Sequence, residues 1–588
     1  MFEFARAAHY LFTIVNYNIH LKSAISCVLI EKTSKVTKFV VFIGSGRPSA
    51  APRTSADVKT TWRSRMDILS FKPGHDGQIA CLRDGRLAFS IEAEKDNGPR
   101  YAGITPSTML KASAGLDKYP DVVALSGWTS EFSERGMPVG AGYFGHSEAA
   151  VSWRHENWFG RDVRHFTSSH ERSHIMCAYG LSPFPQGQPC YALTWESELG
   201  SFYFIDEKVR VTKIAEVLRS PGLKYSMIYA LADETFRGRF RMEDAGKLMA
   251  LAGYGKRGKL TPAERETVDR VLNADISVNS FRKEAFQDSP YYNVGLLDEA
   301  FVNLAKRFSD QLFDVFCNRT RELAFDRSFP LLIVGGCGLN CDWNSAWKDK
   351  GQFQNIFIPP CCNDSGAAIG TAIDAQFFFT GDAKVQWSVY AGEEFVSDLD
   401  EVPGFDVEDM SFGRIAQLLA DGKILGWVQG RYEIGPRALG NRSILASPFH
   451  AETRDALNRI KEREHFRPIA PICLEEDMQL HFSGPSSSPY MLFFHKVNDQ
   501  RLAAVTHVDG SARVQTVSPS SNEQAYTLLM EFKKRTGVGV LCNTSLNFKG
   551  AGFINRISDL ASYALKTGLD GFVVGNRVYL NKSVRPRH

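Results

Sequence analysis

Two histidines four residues apart are the first group in this chain that could do chemistry. His170 and His174 begin an apolar, helix-like pattern, and residues four apart on a helix share one face, about 6 Å apart. Two imidazoles placed in this way can chelate one metal ion. With Glu171 the spacing is that of the HExxH metalloproteases, but a third ligand within helical reach is missing, which disfavours a protease. Histidines that only cap or pack a helix are the alternative.

Two carboxylates at strand ends could complete this metal site. Glu196 ends a predicted strand, and Asp364 follows the strand-like residues 356–360. Carboxylates at strand ends can form a mixed histidine–carboxylate site that stays open to substrate oxygens. The predicted metal ligands are therefore His170, His174, Glu196 and Asp364.

Two basic segments indicate an anion-binding surface. Residues 430–443 (GRYEIGPRALGNRS) and 461–468 (KEREHFRP) together hold five arginines and one lysine, interrupted by glycine, proline and apolar residues. Guanidinium groups bind phosphate and carboxylate with two hydrogen bonds each. A solvated basic face is the alternative, but such a face rarely contains this much glycine, proline and apolar residue. An anionic, planar ligand is the expected partner.

Three glycine-rich turns indicate a nucleotide cleft. They lie at 72–77, 335–340 and 363–368. Such turns present backbone N–H groups to phosphate, and glycine lets a nucleotide approach the chain closely. Their combination resembles the actin-like ATPase superfamily. Residues 244–255 could add a further wall, with Lys247 either facing the ligand or lying on a solvated helix face.

The elements that must position these residues belong to a mixed α/β chain. Periodicity of two, with turn residues between, predicts strands, and periodicity near four predicts helices. Expected strands are 68–71, 78–82, 87–91, 190–195, 200–205, 330–334, 424–428, 491–494 and 538–542, and expected helices are 105–114, 169–180, 244–252, 297–324, 412–420, 453–460 and 522–536, with one more after 363–366.

Length and composition suggest more than one domain. The chain has 588 residues, too many for one hydrophobic core. Residues 1–65 are basic, with ten Lys/Arg and three Asp/Glu; a transit peptide is conceivable, but an extension outside the fold, which would start at Met66, is the simpler expectation. A polar, acidic connection follows near 387–405. The predicted divisions are 1–65 extension, 66–390 first domain, 391–410 linker and 411–588 second domain.

Charge and cysteine content exclude several classes of protein. The chain carries a formal net charge of +3, but beyond residue 65 it holds 59 basic and 63 acidic residues, a net charge of −4. No basic stripe suggests a nucleic-acid partner, and no apolar run approaches the roughly 20 residues of a membrane span. Eleven scattered cysteines without a CxxC pair argue against structural zinc and favour a reducing, cytoplasmic compartment.

Taken together, these motifs resemble the O-carbamoyltransferases of antibiotic and nodulation-factor pathways, from Met66 to the C-terminus. The most specific parts are residues 430–445, residues 461–471, the two histidines, and residues 359–370 (PPCCNDSGAAIG). The opening residues 71–77 (FKPGHDG) and 92–96 (EAEKD) are similar to the 3-hydroxymethylcephem carbamoyltransferase branch.

The resemblance implies two linked sites. The first domain would be an actin-like fold with a metal-binding transferase cleft that passes a carbamoyl group to a substrate hydroxyl. The second would resemble the adenylate-forming enzyme of tRNA threonylcarbamoyl-adenosine synthesis, and would form carbamoyl-adenylate from carbamoyl phosphate and ATP. Implied cofactors are ATP with Mg²⁺ and a divalent metal, Fe²⁺ or similar. The implied partner is a small hydroxylated acceptor, and a homodimer is left open.

Residue by residue, the resemblance extends these assignments. His170, His174 and Asp364 match the family's metal ligands, while Glu196 stands where many members have Asp. Arg100 stands where others have a nucleotide-contacting lysine, and Gly335, Gly336 and Asn340 belong to the same nucleotide cleft. The residues matched to carbamoyl phosphate and adenylate are Arg437, Lys461, Arg467, Arg513, Asn543 and Ser545.

The chemistry accounts for these residue types. Carbamoyl phosphate and ATP together bring about six negative charges, which fixed cations must hold before the reacting atoms can approach. Lys461 and Arg467 are therefore predicted to be catalytic. His75 or Asp76 is the candidate base for the hydroxyl proton, although Asp76 in a glycine-rich turn also fits a turn-former.

Two other functions remain open. The shared domains would also suit a tRNA-modifying carbamoyl-type enzyme, against which the net charge of −4 argues. A non-catalytic, nucleotide-binding regulatory module would need the nucleotide cleft but not two separate anion sites.

Overall fold

The computed structural model describes residues 25–33, 36–43, 66–127, 142–238, 240–350 and 352–583. The chain divides into two compact units, residues 1–62 and 63–588. In the first unit, strands β1 (Ile25–Thr33) and β2 (Val36–Ile43) form an antiparallel pair. Most of the predicted extension 1–65 lies outside the described residues, and its predicted role stays a prediction.

A six-stranded mixed sheet opens the second unit. Its order is β5-β4-β3-β6-β8-β7. The first three strands form an antiparallel meander, β6 and β8 run parallel to β3, and β7 closes the edge antiparallel to β8. The strands are β3 (Asp67–Lys72), β4 (Gln78–Arg83), β5 (Arg86–Glu92), β6 (Val122–Ser126), β7 (Val151–Trp158) and β8 (Arg161–Ser168).

A five-stranded sheet repeats this pattern. Its strands are β9 (Cys190–Trp195), β10 (Gly200–Ile205), β11 (Val211–Glu216), β12 (Leu331–Val334) and β13 (Ile356–Phe357). They lie in the order β11-β10-β9-β12-β13, again an antiparallel meander followed by parallel strands. Because β9 and β12 are parallel, their carboxyl ends meet at one edge of the sheet, where loops can build a site.

Helices cover both sheets and continue into the C-terminal part. They are α1 (Pro106–Ala114), α2 (His170–Leu181), α3 (Pro221–Ala232), α4 (Glu243–Ala252), α5 (Pro262–Asn273), α6 (Glu299–Glu322), α7 (Cys341–Asp349), α8 (Ala367–Thr380), α9 (Phe412–Ala420), α10 (Ala451–Ile460), α11 (Met478–His481), α12 (Glu523–Thr536) and α13 (Ile557–Thr567). Among the helices that the structure describes, none has the length and apolar character that crossing a bilayer requires.

Helices α2 and α8 make the closest helix pair in this part of the fold. Both are buried: all residues of α2 are buried, and so are the first ten of α8. At their contact, a Cβ added to Gly370 would lie 1.8 Å from the carbonyl oxygen of Ser173, so only glycine permits this approach. The close contact fixes the start of α2 beside the segment that leads into α8.

The C-terminal part is built on an eight-stranded mixed sheet with the order β14-β24-β23-β15-β16-β22-β17-β21. Apolar residues of α9 and α12 pack together in one core cluster, and those of α10 and α13 in another. A small three-stranded sheet, β18-β19-β20, lies beside it. The strands are β14 (Phe405–Asp409), β15 (Leu425–Val428), β16 (Arg442–Ala446), β17 (Ala470–Leu474), β18 (Phe482–Ser483), β19 (His495–Val497), β20 (Ser511–Ala512), β21 (Gln515–Val517), β22 (Val540–Ser545), β23 (Gly571–Val574) and β24 (Arg577–Asn581).

Most predicted elements are present within a few residues of their expected ends, but the strand expected at 491–494 is wrong. Strand β19 begins only at His495. The backbone before it is held by side chains of α7 instead of a neighbouring strand. Asn344 donates to the carbonyl oxygen of Leu492 at 2.9 Å, and Ser345 donates to that of Phe494 at 3.1 Å. These side chains satisfy the carbonyl groups that a ladder would otherwise use.

Candidate active site

The structure brings the four predicted metal ligands together. His170 Nε2 and His174 Nε2 lie 3.1 Å apart, and Glu196 Oε2 lies 3.3 and 3.0 Å from them, respectively. Asp364 Oδ1 lies 3.6 and 3.4 Å from the same two nitrogens. One ligand atom from each residue falls within 4.8 Å of all the others. Four residues separated by almost 200 positions therefore converge on one point.

Local structure explains this convergence. Helix α2 begins with Ser169 as its N-cap, whose hydroxyl accepts from the backbone N–H of Arg172 at 3.1 Å, so both histidines fall in the first two turns. Glu196 directly follows β9, and Asp364 begins a short 3₁₀ turn before α8. The close packing of α2 on α8 brings the three segments together.

The charges within this cluster depend on one another. Burial alone lowers the pKa of His174, but the carboxylates of Glu196 and Asp364 outweigh burial and raise it to about 10. For Glu196 burial raises the pKa, and the two imidazoles lower it below its ordinary value. Two imidazole nitrogens and two buried carboxylates form a donor set that fits a divalent ion. If the two histidines only packed or capped the helix, their rings would not both have to face buried carboxylates.

The candidate bases lie at the edge of this cluster. His75 Nδ1 is 3.1 Å from Asp76 Oδ2 and 3.6 Å from Asp364 Oδ2. The backbone of Asp76 is left-handed, with φ of 51°, as expected of the turn between β3 and β4. Lys72, which the sequence analysis did not assign, is fully buried and its Nζ lies 2.9 Å from Asp364 Oδ2.

The predicted nucleotide turn follows β12. Residues Gly336–Leu339 form a 3₁₀ turn, and Gly336 and Asn340 line the large cavity described below. The side-chain oxygen of Asn340 caps α7 by accepting from the N–H of Asp342 at 3.1 Å. Gly335 lies behind the turn, where its N–H donates to the carbonyl oxygen of Cys362 at 2.7 Å.

A cationic cluster lies in the C-terminal part, joined by one arginine from the N-terminal part. Within the described residues, carboxylates pair with two members: Glu94 with Arg100 at 3.1 Å, and Glu464 with Arg467 at 3.7 Å. The cluster is therefore short of negative charge. Its members are Arg100, Arg437, Lys461, Arg463, Arg467 and Arg513.

Burial and mutual repulsion perturb these cations. Burial lowers the pKa of Lys461 well below its ordinary value, and the like charges of Arg463, Arg467 and Arg100 add to the effect. The pKa of Arg437 is lowered to about 9 by burial and by Arg513. Like charges held this close repel one another, so an anion placed among them would be stabilised.

The polar members of the predicted adenylate site lie on β22. Asn543 donates to Gln515 Oε1 at 2.8 Å, and its own oxygen is buried without a hydrogen-bond partner among the described residues. The hydroxyl of Ser545 donates to the side-chain oxygen of Asn547 at 2.6 Å. Lys461 Nζ donates to the carbonyl oxygens of Ser545 at 2.6 Å and Asn547 at 3.0 Å.

One cavity of about 790 Å³ joins the metal-type cluster to the cationic cluster. It is lined from the first side by His75, Asp76, Glu196 and Asp364, and from the second by Lys461 and the five arginines, Asn543 and Ser545. All predicted site residues except Gly335, His170 and His174 line it, and the two histidines lie directly behind Glu196 and Asp364.

Glu92, the last residue of β5, and Lys95 in the turn after it fix the loop that carries Arg437. The N–H of Gly435 donates to Glu92 Oε1 at 2.7 Å, and its carbonyl oxygen accepts from Lys95 Nζ at 2.9 Å. Gly435 has φ of 85°, and a Cβ there would lie 2.3 Å from the carbonyl oxygen of Pro360. The segments leading to Arg437 and to Asp364 therefore touch at this glycine.

Several residues of the site were missed by sequence reasoning. Arg463 lies inside the basic segment that was singled out, so composition could have found it. Lys72 contacts Asp364 and Tyr143 contacts Glu196. Neither residue shows a spacing or composition signal in the sequence, because only the fold brings it to the metal-type cluster. Asn547 is the hydrogen-bond partner of Lys461 and Ser545, a role that sequence alone could not show.

The chain is similar to known proteins over most of its length. A family model described as carbamoyltransferase N-terminus matches residues 149–373, and one described as carbamoyltransferase C-terminus matches residues 416–581. The chain is 47% identical to a 3'-hydroxymethylcephem-O-carbamoyltransferase of Amycolatopsis lactamdurans, over 87% of this chain and 99% of that protein. It is 34% identical to nodulation protein U of Rhizobium tropici, over 83% of this chain and 92% of that protein.

A solved structure, component A of the (R)-2-hydroxyglutaryl-CoA dehydratase of Acidaminococcus fermentans, matches 52% of this chain and 96% of that chain. The match has 10% identity and a TM-score of 0.31, too low to support a conclusion. The matches to the two family models and to the relatives are stronger evidence, because they include residues of both clusters of the site. From them the family predicted from the motifs is confirmed, and the chain belongs to the carbamoyltransferases, a family of transferase enzymes.

Proposed function

We propose that the chain is an ATP-dependent O-carbamoyltransferase with two linked half-reactions. In the first, carbamoyl phosphate, ATP and one water give carbamoyl-adenylate, pyrophosphate and phosphate. In the second, the oxygen of an acceptor hydroxyl bonds to the carbamoyl carbon, the bond from that carbon to the phosphate oxygen breaks, and AMP leaves. The observation that carries this proposal is the single cavity lined by both clusters.

The cationic cluster suits the first half-reaction. Its members lie close enough to lower one another's pKa values, so bound phosphates would relieve repulsion that already exists. Fixed cations that need no rearrangement stabilise developing charge at little cost. Lys461 and Arg467 would hold the reacting phosphates, and Arg437 and Arg513 would neutralise them. Mg²⁺ would accompany ATP.

The polar groups beside these cations suit the carbamoyl group. The side-chain oxygen of Asn543 is buried with no donor among the residues that the structure describes, and a buried acceptor without a donor is costly. The amide N–H₂ of a carbamoyl group could supply that donor. Ser545 lies two residues further along the same strand and therefore on the same face of the sheet, where it would limit the ligand to a small planar group.

The metal-type cluster suits the second half-reaction. A divalent ion held by His170, His174, Glu196 and Asp364 would supply Lewis-acid polarisation of oxygen. His75 would take the hydroxyl proton at Nε2, because its Nδ1 faces the carboxylates of Asp76 and Asp364. Asp76 would orient that imidazole and shape the turn.

The proposed acceptor is a 3'-hydroxymethylcephem or a similar small molecule with a primary hydroxyl. This rests on the activity for which the Amycolatopsis lactamdurans relative is named and on the 99% of that protein that the match covers. The proposed architecture is an actin-like N-terminal domain, supported by the two sheets with matching strand order, and a C-terminal adenylate-forming domain. The domain limits proposed from the sequence are 66–390 and 411–588, and the linker 391–410 between them contributes β14 to the C-terminal sheet.

The test measures pyrophosphate release and carbamoyl transfer separately. The full chain with ATP should release pyrophosphate only when carbamoyl phosphate is present, and should carbamoylate a 3'-hydroxymethylcephem. Transfer to tRNA instead would favour the tRNA-modifying enzyme, and nucleotide binding without either product would favour a regulatory module. Either result would overturn the proposal.

His174→Ala separates the half-reactions. Loss of one imidazole should deplete bound metal, since a site with one imidazole and two carboxylates holds a divalent ion less tightly. Transfer should fall on the order of a hundredfold or more, as for loss of a Lewis acid, while pyrophosphate release continues. Normal metal content together with normal transfer would contradict the metal assignment.

A further inference from the structure

The two carboxylates of the proposed metal site are each held by a second donor on the side away from the histidines. Glu196 turns Oε2 to the histidines, and its Oε1 accepts from the hydroxyl of Tyr143 at 2.6 Å. Asp364 turns Oδ1 to the histidines, and its Oδ2 lies 2.9 Å from Lys72 Nζ. Outer partners of this kind fix the orientation of metal ligands.

Tyr143 also contacts a histidine of the cluster. Its ring stacks on that of His170, with 4.3 Å between ring centroids and 19° between planes. The tyrosine is buried, and its hydroxyl donates to Glu196. One side chain therefore restrains two of the four ligands.

The backbone around Tyr143 is tied to the helix that carries the histidines. The N–H groups of His170 and Glu171 donate to the carbonyl oxygens of Gly142 at 3.2 Å and Tyr143 at 2.9 Å. The first N–H groups of a helix have no partner within the helix. The carbonyl oxygens of Gly142 and Tyr143 supply partners for two of them. The loop and the helix thus hold each other.

Glu171 strengthens the same attachment. It occupies the position of the catalytic glutamate in HExxH enzymes, yet its carboxylate contacts the loop. Oε2 accepts from the N–H of Gly145 at 2.6 Å, and Oε1 accepts from the hydroxyl of Tyr203 and lies 3.5 Å from Lys213 Nζ. Its place between the histidines is explained by loop anchoring.

We propose that Tyr143 is a positioning residue for the metal site: it holds Glu196 through its hydroxyl and His170 through its ring. The proposal rests on the proposed metal site. It assigns no contact with substrate to Tyr143, and it explains why residues 142–145 lie across the start of α2.

The experiment titrates the metal-free full chain with Co²⁺ alone and follows visible absorption. Tyr143→Phe keeps the ring and removes the hydroxyl, and should weaken Co²⁺ binding about tenfold, the lower end of typical outer-partner effects. Tyr143→Leu also removes the stacking on His170 and should weaken binding further. Both spectra should differ from that of the unaltered protein, because the ligand orientation changes.

Two further variants make the result decisive. Tyr179→Phe removes a buried hydroxyl at the other end of α2, where it accepts from the N–H of Gly187 at 3.1 Å, and should leave Co²⁺ affinity and spectrum unchanged. His174→Ala should lose tight binding. Unchanged Co²⁺ affinity and spectrum in Tyr143→Phe, with His174→Ala impaired, would overturn the positioning role alone. Failure of the unaltered chain to bind Co²⁺ would overturn both the positioning role and the metal site.

Discussion

At the scale of single residues, the anion site is notable for what its cations lack. Arg437 and Lys461 are held by carbonyl oxygens of Leu339, Ser545 and Asn547, and these groups orient a cation without neutralising it. The remaining positive charge is therefore available to a ligand. Two predictions follow from this arrangement.

Arg467→Ala should slow pyrophosphate release on the order of a hundredfold or more, because the transition state loses a charged hydrogen-bond donor that lines the cavity. Supplying preformed carbamoyl-adenylate should restore product formation. Arg535→Ala, which removes an arginine paired with Glu531 on the surface of α12, serves as the control and should release pyrophosphate at the normal rate. Normal release by Arg467→Ala would mean that the adenylate site is misplaced.

Binding of carbamoyl phosphate should take up protons. Burial and three arginines lower the pKa of Lys461, and an anion beside it favours the protonated form, so its pKa rises on binding. Protons are then taken up at pH values between the lowered pKa and that of the complex. Calorimetry in two buffers of different ionisation enthalpy measures this uptake. Equal uptake by Lys461→Met would assign the effect to another group.

At the scale of elements, the contact at Gly435 links the end of β5 with its following turn, the segment before Asp364 and the loop that carries Arg437. Both backbone polar groups of Gly435 are held: its N–H donates to Glu92, and its carbonyl oxygen accepts from Lys95. Burial raises the pKa of Glu92 to about 7, against the opposing effect of Lys95. The relative placement of the two clusters depends on this contact.

Gly435→Ala should therefore impair both half-reactions and lower the melting temperature. A left-handed backbone costs a non-glycine residue about 1–2 kcal/mol, and the added Cβ would also collide with Pro360. Gly537→Ala is a matched control, because Gly537 has φ of 74° but open space around its Cβ position. It should lose stability only. Two variants with the same loss of stability and normal activity would refute the linking role of Gly435.

At the scale of the whole molecule, residues 1–62 form a unit separate from residues 63–588. The family matches begin at residue 149 and end at residue 581. A chain that begins at Met66 should therefore fold with an unchanged melting temperature and full activity. Loss of folding or of carbamoyl transfer would show that the preceding residues contribute to the enzyme.

The metal-type cluster and part of the core were predictable because their signals are local, whereas most strands of the eight-stranded sheet were not predicted. The histidine spacing in α2, the carboxylate after β9 and the apolar periodicity of α6 and α12 each lie within a short segment. Strand β7 was not predicted, since most of its side chains are exposed. Helix α3 was not predicted either, because it is buried on nearly all sides and lacks a polar face.

The contacts between distant segments were not predictable. Tyr143 on Glu196, Lys72 on Asp364 and Glu92 on Gly435 join residues that are 53, 292 and 343 positions apart. Such pairs follow from how sheets and helices pack, and periodicity within one segment has no information about them. The same limit explains the error at 491–494, where side chains from α7 satisfy the backbone.

The edge of the eight-stranded sheet has a consequence for how the molecule can be rearranged. Strands β14 and β24, the first and last of the C-terminal part, pair directly with one another. The points where the chain enters and leaves the C-terminal part therefore lie side by side. This is the arrangement of domains that tolerate insertion into other chains. We expect this region to keep its strand pairing when it is placed ahead of the N-terminal part or inserted into a loop, because no strand of its sheet has to be rethreaded.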